Sequence, residues 1–190
     1  MQGMGKMYLT LSPKVVNKLK KEKWILDELK RRTKVKITLE EGGRVILEPT
    51  EGSSSIDMMK AKEVLMALNY GFEPDVAFLL FNDDYVMEVI DVKDLLLDHH
   101  DTRELRRVLG RVIGKEGKAK KNIERIAHVY VSISEGTVAI IGEYENVEAA
   151  KEAIGELIEG KLHAAVYKRL EMRMRTIKRK TMLDYWEKGF

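Results

Sequence analysis

Gly110-Arg111-Val112-Ile113-Gly114-Lys115-Glu116-Gly117-Lys118 is the stretch on which the reading of this chain turns. Glycines at 114 and 117 let the backbone turn sharply and approach a neighbour closely, because neither carries a Cβ. The two residues between them are held outward, and one of them is Lys115. Around the loop stand Arg103, Arg106, Arg107, Arg111, Lys118, Lys120, Lys121 and Arg125. A tight glycine loop at a helix N-terminus inside a positive field suits a phosphate backbone. Many loops carry GxxG by chance, so its meaning depends on its surroundings.

Those surroundings repeat. Sliding the chain against itself by 94 residues places Leu29, Val35, Ile37 and Leu39 on Ile123, Val129, Val131 and Ile133. At a shift of 89, Ala61-Lys62-Glu63-Val64-Leu65 falls on Ala150-Lys151-Glu152-Ala153-Ile154. The change of shift marks a small insertion in the first copy near Gly52-Ser53-Ser54-Ser55. Two copies of one domain is the economical account, and chance likeness between short amphipathic segments is its rival.

Each copy reads in one order. Residues 6–11 and 85–92 alternate apolar with polar, as a half-buried strand does. Helices follow over 13–20 and 24–32, then over 102–113 and 118–126, with Pro13 after Ser12 a good helix start. Strands are expected at 35–40 with 44–48, and at 130–134 with 137–142, turned by Gly42-Gly43 and Glu135-Gly136. Helices over 56–68 and 147–159 close the copies. The fold class is therefore α+β, with the order β-α-α-β-β-α twice. The expected organisation is a first domain over 1–72 without GxxG, a linker helix within 73–84, a second domain over 85–162 with GxxG, and a basic C-terminal helix over 163–190.

Composition narrows the function classes. With 190 residues the chain can build one large or two small cores, and 44% hydrophobic with 34% charged residues describes a folded, water-facing protein. It has no cysteine, which excludes disulfides and thiolate metal sites and agrees with a cytoplasmic location. No run approaches the roughly 20 apolar residues of a spanning helix, so no membrane partner is expected. Net charge is +3, but it is segregated: +6 over 1–50, −8 over 51–100, +1 over 101–150 and +4 over 151–190. An acidic segment between basic ones leaves room for an anionic polymer and for a protein partner.

The element order, with GxxG between the first two helices, resembles the type I KH domain, a module that binds single-stranded nucleic acid. Val112-Ile113-Gly114-Lys115-Glu116-Gly117 sits at the required joint of the second copy. The resemblance implies two tandem type I KH-like domains, with phosphates clamped by the loop and bases in an apolar groove. Val112, Ile113, Ile123 and Val131 would floor that groove, with plain core packing as the alternative for at least two of them. In the first copy GKEG becomes Lys20-Lys21-Glu22-Lys23, so the clamp is expected to be absent or altered and the domain to be degenerate.

The tandem arrangement with GRVIGKEGK resembles more specifically the Dim-two, or Partner of Nob-one, family, and its archaeal members in particular. The likeness takes in Asp83-Asp84-Tyr85, residues 110–118, Val138-Ala139-Ile140-Ile141-Gly142 and His163-Ala164-Ala165-Val166-Tyr167. It implies single-stranded RNA binding in small ribosomal subunit assembly, near the 3′ end of the (pre-)16S rRNA, through the second domain. It also implies the alpha subunit of translation initiation factor two, and the endonuclease Nob-one, as protein partners. The RNA-contacting residues expected on this basis are Arg107, Arg111, Val112, Ile113, Gly114, Lys115, Glu116, Gly117, Lys118, Lys120 and Lys121.

The C-terminal segment extends that surface. From 168 to 180 stand Lys168, Arg169, Arg173, Arg175, Lys178, Arg179 and Lys180 against the single acid Glu171. Leu170, Met174 and Ile177 fall on one helical face, so that face can pack while the other meets phosphate through Arg173, Lys178 and Arg179. An ordinary solvated face is the alternative, and for Trp186 a packing role is preferred to base stacking. His99-His100-Asp101, with Asp98 and Asp94, is the one cluster that could suggest a metal nuclease, but adjacent residues point apart on a helix and no second cluster completes a ligand set. No phosphate-binding GxxxxGK[ST] loop or Ser/His/Asp arrangement is present. A non-enzymatic binder without cofactor or metal is expected. The other readings are a generic KH nucleic-acid binder and a protein adaptor that uses the acidic segment.

Overall fold

The computed structural model describes residues 5–96 and 101–188, in two units that divide after Asn82. The first unit opens with β1 (Met7–Thr10), α1 (Pro13–Lys21), α2 (Trp24–Thr33), β2 (Val35–Leu39), β3 (Arg44–Pro49) and α3 (Ser55–Asn69). Ser12 caps α1 by accepting from the N–H of Val15, and Pro13 supplies a preset φ in the first turn. A reciprocal capping box between Ser54 and Asp57 starts α3. The sheet is antiparallel in the order β1-β3-β2. Its central strand buries Val45 and Leu47, and Ile25 and Leu29 of α2 with Val64 and Leu65 of α3 are buried on the helical side. Truncating one such leucine to alanine costs about 2–5 kcal/mol.

The segment after α3 continues this unit. A short helix, α4 (Pro74–Ala77), runs into a 3-10 turn over Phe78–Phe81. Ala77 and Leu80 are buried, and Lys60 Nζ donates to the Leu80 carbonyl at 2.8 Å. Phe78 meets Trp24 edge-on at 6.0 Å between ring centroids, and the Arg32 guanidinium lies 4.9 Å from the centre of the Phe81 ring. Helical residues in the stretch expected as a linker are thus packed against α2 and α3.

The second unit contains β4 (Tyr85–Asp91), α5 (Thr102–Ile113), α6 (Lys118–Ala127), β5 (Tyr130–Ser134), β6 (Thr137–Glu143), α7 (Tyr144–Ile158) and α8 (His163–Glu187). Its sheet, in the order β4-β6-β5, is again antiparallel with the last strand of the hairpin in the centre. Val108, Val112, Ile123, Val131, Ile140, Ile154 and Leu170 share one buried core. The fold is α+β and of KH type in both units.

Backbone details support the duplication. Lys34 and His128 both end their helices in the left-handed region, at φ 53° and 54°. The Leu11 N–H donates to Gly43 at 2.8 Å, and the Val92 N–H donates to Gly136 at 2.9 Å, tying the end of the first strand to the hairpin in each copy. Gly43 has to be glycine, since a Cβ there would lie 2.2 Å from the Leu11 carbonyl oxygen. The copies differ where the shift changes. Between β3 and α3 the chain passes through the Gly52–Ser54 insertion, whereas β6 runs straight into α7, three residues before the expected helix start.

Candidate nucleic-acid interface

Asp101 starts α5 by accepting from the N–H groups of Arg103 and Glu104 at 2.9 and 3.0 Å. Amphipathic spacing then buries Val108 and Val112 and leaves Arg103, Arg106 and Arg107 exposed. The helix stops at Gly114, whose φ of 74° and ψ of 173° belong to a region essentially reserved for glycine. A Cβ on Gly114 would lie 2.6 Å from both the backbone nitrogen and the Cβ of Ala119. The bare glycine is what lets the loop sit directly on the first turn of α6.

Lys115 and Glu116 then stand exposed at the apex. Glu116 is left-handed at φ 56°, and Gly117 follows at φ 75°. No side chain caps the start of α6. The N–H groups of Gly117 and Lys118 are turned back onto the carbonyls of Gly114 and Lys115, so it is the positive end of the helix dipole that lies beneath the loop. An anion is the natural occupant of such a position.

The cations around it fall into two groups. Arg103, Arg106, Lys115, Lys118, Lys121 and Arg125 form no ion pair among the described residues, and all are exposed. Arg107 is 3.5 Å from Glu104 and Lys120 is 3.9 Å from Glu124, both loose surface pairs that a phosphate can displace. Arg111 is committed elsewhere. Its Nε donates to the Leu157 carbonyl at 2.9 Å and its Nη2 to the Lys161 carbonyl at 3.1 Å. Arg111, expected at phosphate, thus places two donors on the end of α7 and the turn after it, and it still lines the surface beside Gly114 and Lys118. Nothing in the spacing of Arg111 distinguishes it from its basic neighbours.

The expected groove floor is also revised. Val112, Ile123 and Val131 are 0%, 1% and 4% exposed and are part of the core, while Ile113 is 38% exposed and alone of the four offers apolar surface. Direct contact from Val112 is therefore ruled out by burial. On the neighbouring edge strand, Glu124 Oε1 accepts from the Val131 N–H at 2.9 Å, so that edge donor is already taken.

Leu170 of α8 is buried, with Met174 and Ile177 against the core. Three basic residues of α8 pair with α7: Arg169 with Glu156, Arg173 with Glu152, and Lys180 with Glu145. These pairs lie one turn and then two turns apart along both helices, which run antiparallel. Hydrogen bonds from Arg169 hold the Glu156 carboxyl below its ordinary range. Arg173, expected to contact RNA, is thereby engaged with Glu152, because the helix face carrying Leu170 also turns Arg173 towards α7. Lys178 and Arg179 are exposed and make no ion pair among the described residues.

Residues 97–100 lie outside the described residues, and with them Asp98, His99 and His100. Asp101 is occupied as a helix cap. Among the described residues no cluster of three or more His, Asp or Glu side chains could hold a metal ion, and no helix is long and apolar enough to cross a membrane.

Residues 86–175 match the family model of the eukaryotic type KH domain (KH-domain type I), in the form of the second KH domain of PNO1. A KH domain-containing protein of Methanocaldococcus jannaschii is 39% identical over 155 residues, covering 81% of this chain and 66% of that protein. The pre-rRNA-processing protein PNO1 of Gibberella zeae is 31% identical over 58% of this chain and 43% of its own length. The chain thus spans from under half to just under two thirds of these curated relatives. Among solved structures, Dim2p of Pyrococcus horikoshii matches with a TM-score of 0.80 and 33% identity, over 89% of this chain and 99% of that one. A second structure, of an a/eIF2alpha-aDim2p-rRNA complex from the same organism, matches with a TM-score of 0.81 and 33% identity, over 90% of this chain and 95% of that one.

Proposed function

The chain belongs to the Dim2/PNO1 family of KH proteins, and from that premise we propose that it binds single-stranded RNA in small ribosomal subunit assembly. Its target is the 3′ region of the (pre-)16S rRNA, held by the second unit. The observation that carries this reading is Gly114, fixed against Ala119 so that Lys115 and Glu116 rise over the uncapped start of α6 among unpaired cations. Such a loop holds phosphates by backbone N–H groups and charge, without reading sequence, while about four bases lie beside it. Gly114, Lys115, Glu116, Gly117, Lys118 and Lys121 form the clamp. Ile113 supplies apolar contact, and Arg107, Lys120, Lys178 and Arg179 widen the footprint.

The protein acts by binding, in the cytoplasm, and catalyses no reaction itself. The relative solved with a/eIF2alpha and rRNA favours the alpha subunit of the initiation factor as a protein partner, and the family's name favours the endonuclease Nob-one. The test is fluorescence anisotropy with a labelled RNA matching the 3′ end of small-subunit rRNA, against a scrambled RNA and the same sequence as DNA. Lys115→Asp, with both glycines retained, is expected to weaken binding about tenfold or more while leaving the melting temperature unchanged. An unchanged affinity would remove the clamp assignment. Equal affinity for all strands would make the chain a generic nucleic-acid binder.

A further inference from the structure

His163-Ala164-Ala165-Val166-Tyr167, at the start of α8, has no part in the phosphate clamp. Val166 is 1% exposed, which fixes this turn on the core. One helical turn apart, His163 and Tyr167 then face the back of the GxxG loop, their rings edge to face with centroids 6.1 Å apart. His163 Nε2 lies 2.9 Å from the Arg111 carbonyl oxygen, so this nitrogen carries the proton and donates. The Arg111 guanidinium, bound to Leu157 and Lys161, secures the same corner from the other side.

These ties frame a cleft of about 420 Å³ whose lining includes Arg107, Gly114, Lys115, Lys118, His163 and Tyr167. No carboxylate among the described residues lines it. Cations form one wall and aromatic rings another, which offers charge to a phosphate and a face to a base. Tyr167 is half-buried, and its hydroxyl has no hydrogen-bond partner among the described residues. Gly114, Lys115 and Lys118 border both the clamp and the cleft, so a strand crossing the loop can continue into it without leaving positive surface.

We propose that this cleft is a second subsite, which takes the nucleotide flanking the clamped segment, with its phosphate between Arg107 and Lys118 and its base stacked on Tyr167. The proposal rests on the RNA-binding reading above. It makes the footprint longer than the groove alone and gives the His163–Tyr167 turn a function beyond packing.

The test uses the full chain and three RNAs from the 3′ region of small-subunit rRNA: one of about four nucleotides, and two lengthened by about two nucleotides at the 5′ or the 3′ end. Wild type is expected to bind one lengthened RNA roughly 5- to 100-fold more tightly than the short one. Tyr167→Leu keeps the apolar packing and should lose most of that gain. Tyr167→Phe keeps the ring and should retain it. All three proteins should bind the short RNA alike. If lengthening at neither end brings a gain, or if Tyr167→Leu keeps it in full, the subsite is overturned while short-RNA binding leaves the clamp standing. If wild type binds none of the RNAs, clamp and subsite fall together.

Discussion

Gly114-Lys115-Glu116-Gly117 and Lys20-Lys21-Glu22-Lys23 occupy the same joint between two helices, in units whose sheets have the same strand order. Their backbones differ. The second joint strings three positive φ values together, at Gly114, Glu116 and Gly117. The first has none: Glu22 sits at φ −104° and Lys23 at φ −56°, and the Ile25 N–H closes the turn on Glu22 at 3.1 Å. An unstrained turn is therefore enough to connect these helices. The glycine loop of the second unit is more than the fold needs, and its two glycines let the backbone take positive φ at Gly114 and Gly117 without strain. Charge alone does not separate the joints, since both are rich in lysine.

The sharpest way to break the comparison is Gly114→Ala. It forces a side chain into a glycine-only conformation and against Ala119, and should cost about 3 kcal/mol in urea unfolding together with most of the RNA affinity. Lys20→Ala, at the matching position, should change stability by no more than about 0.5 kcal/mol. The comparison sharpens if glycines are restored to the first joint. Lys20→Gly with Lys23→Gly should lose about 1 kcal/mol, because residue 20 lies inside α1, and should bring no gain in RNA affinity. A gain would mean that glycine content alone makes the clamp. Glu116→Asn relieves a left-handed glutamate and removes a negative charge beside the bound phosphate. Its expected effect is about 0.5 kcal/mol of added stability and slightly tighter RNA binding, read by unfolding and anisotropy.

The smallest effect concerns the first unit's own electrostatics. Hydrogen bonds from Arg31 and then Arg32 lower the pKa of Glu28 to about 2. A folded value below the ordinary one adds stability that is complete above about pH 4.3 and fades as pH falls towards the folded value. Glu28→Gln should therefore lower the melting temperature slightly near neutral pH, and its difference from wild type should narrow between about pH 5 and pH 3. The pair is exposed, so the shift will be small and weakened by salt. The matching position of the second unit is Asn122, which carries no charge, but Glu156, held low by Arg169, should give that unit a trend of the same sign.

Much of the fold was legible because its signals are local. Pro13 after Ser12, the Gly42-Gly43 and Glu135-Gly136 turns and the alternation in 130–134 each set their element from nearby residues. The candidate loop was legible for the same reason, since glycine has few other reasons to recur at that spacing beside helix-forming lysines. What escaped were facts about which neighbour a side chain meets. Arg111 and Arg173 look like their basic neighbours in the sequence, yet one donates to the Leu157 carbonyl and the other pairs with Glu152. Val112 and Ile113 are adjacent and alike in chemistry, yet one is sealed in the core and the other is open. Helical phase separates them, and it depends on where α5 lies against the sheet.

The sequence by itself determined the duplicated β-α-α-β-β-α order, the absence of GxxG in one copy and its presence in the other, because turn residues and hydrophobic period act over a few positions. Only the tertiary structure decided which cations remain free for phosphate, which apolar residues can touch a base, and that His163 and Tyr167 stand behind the loop. Those outcomes depend on contacts between residues 40 to 60 positions apart, such as Arg111 with Leu157 and His163 with Arg111. Such contacts form only once burial of the core has set the helices in place.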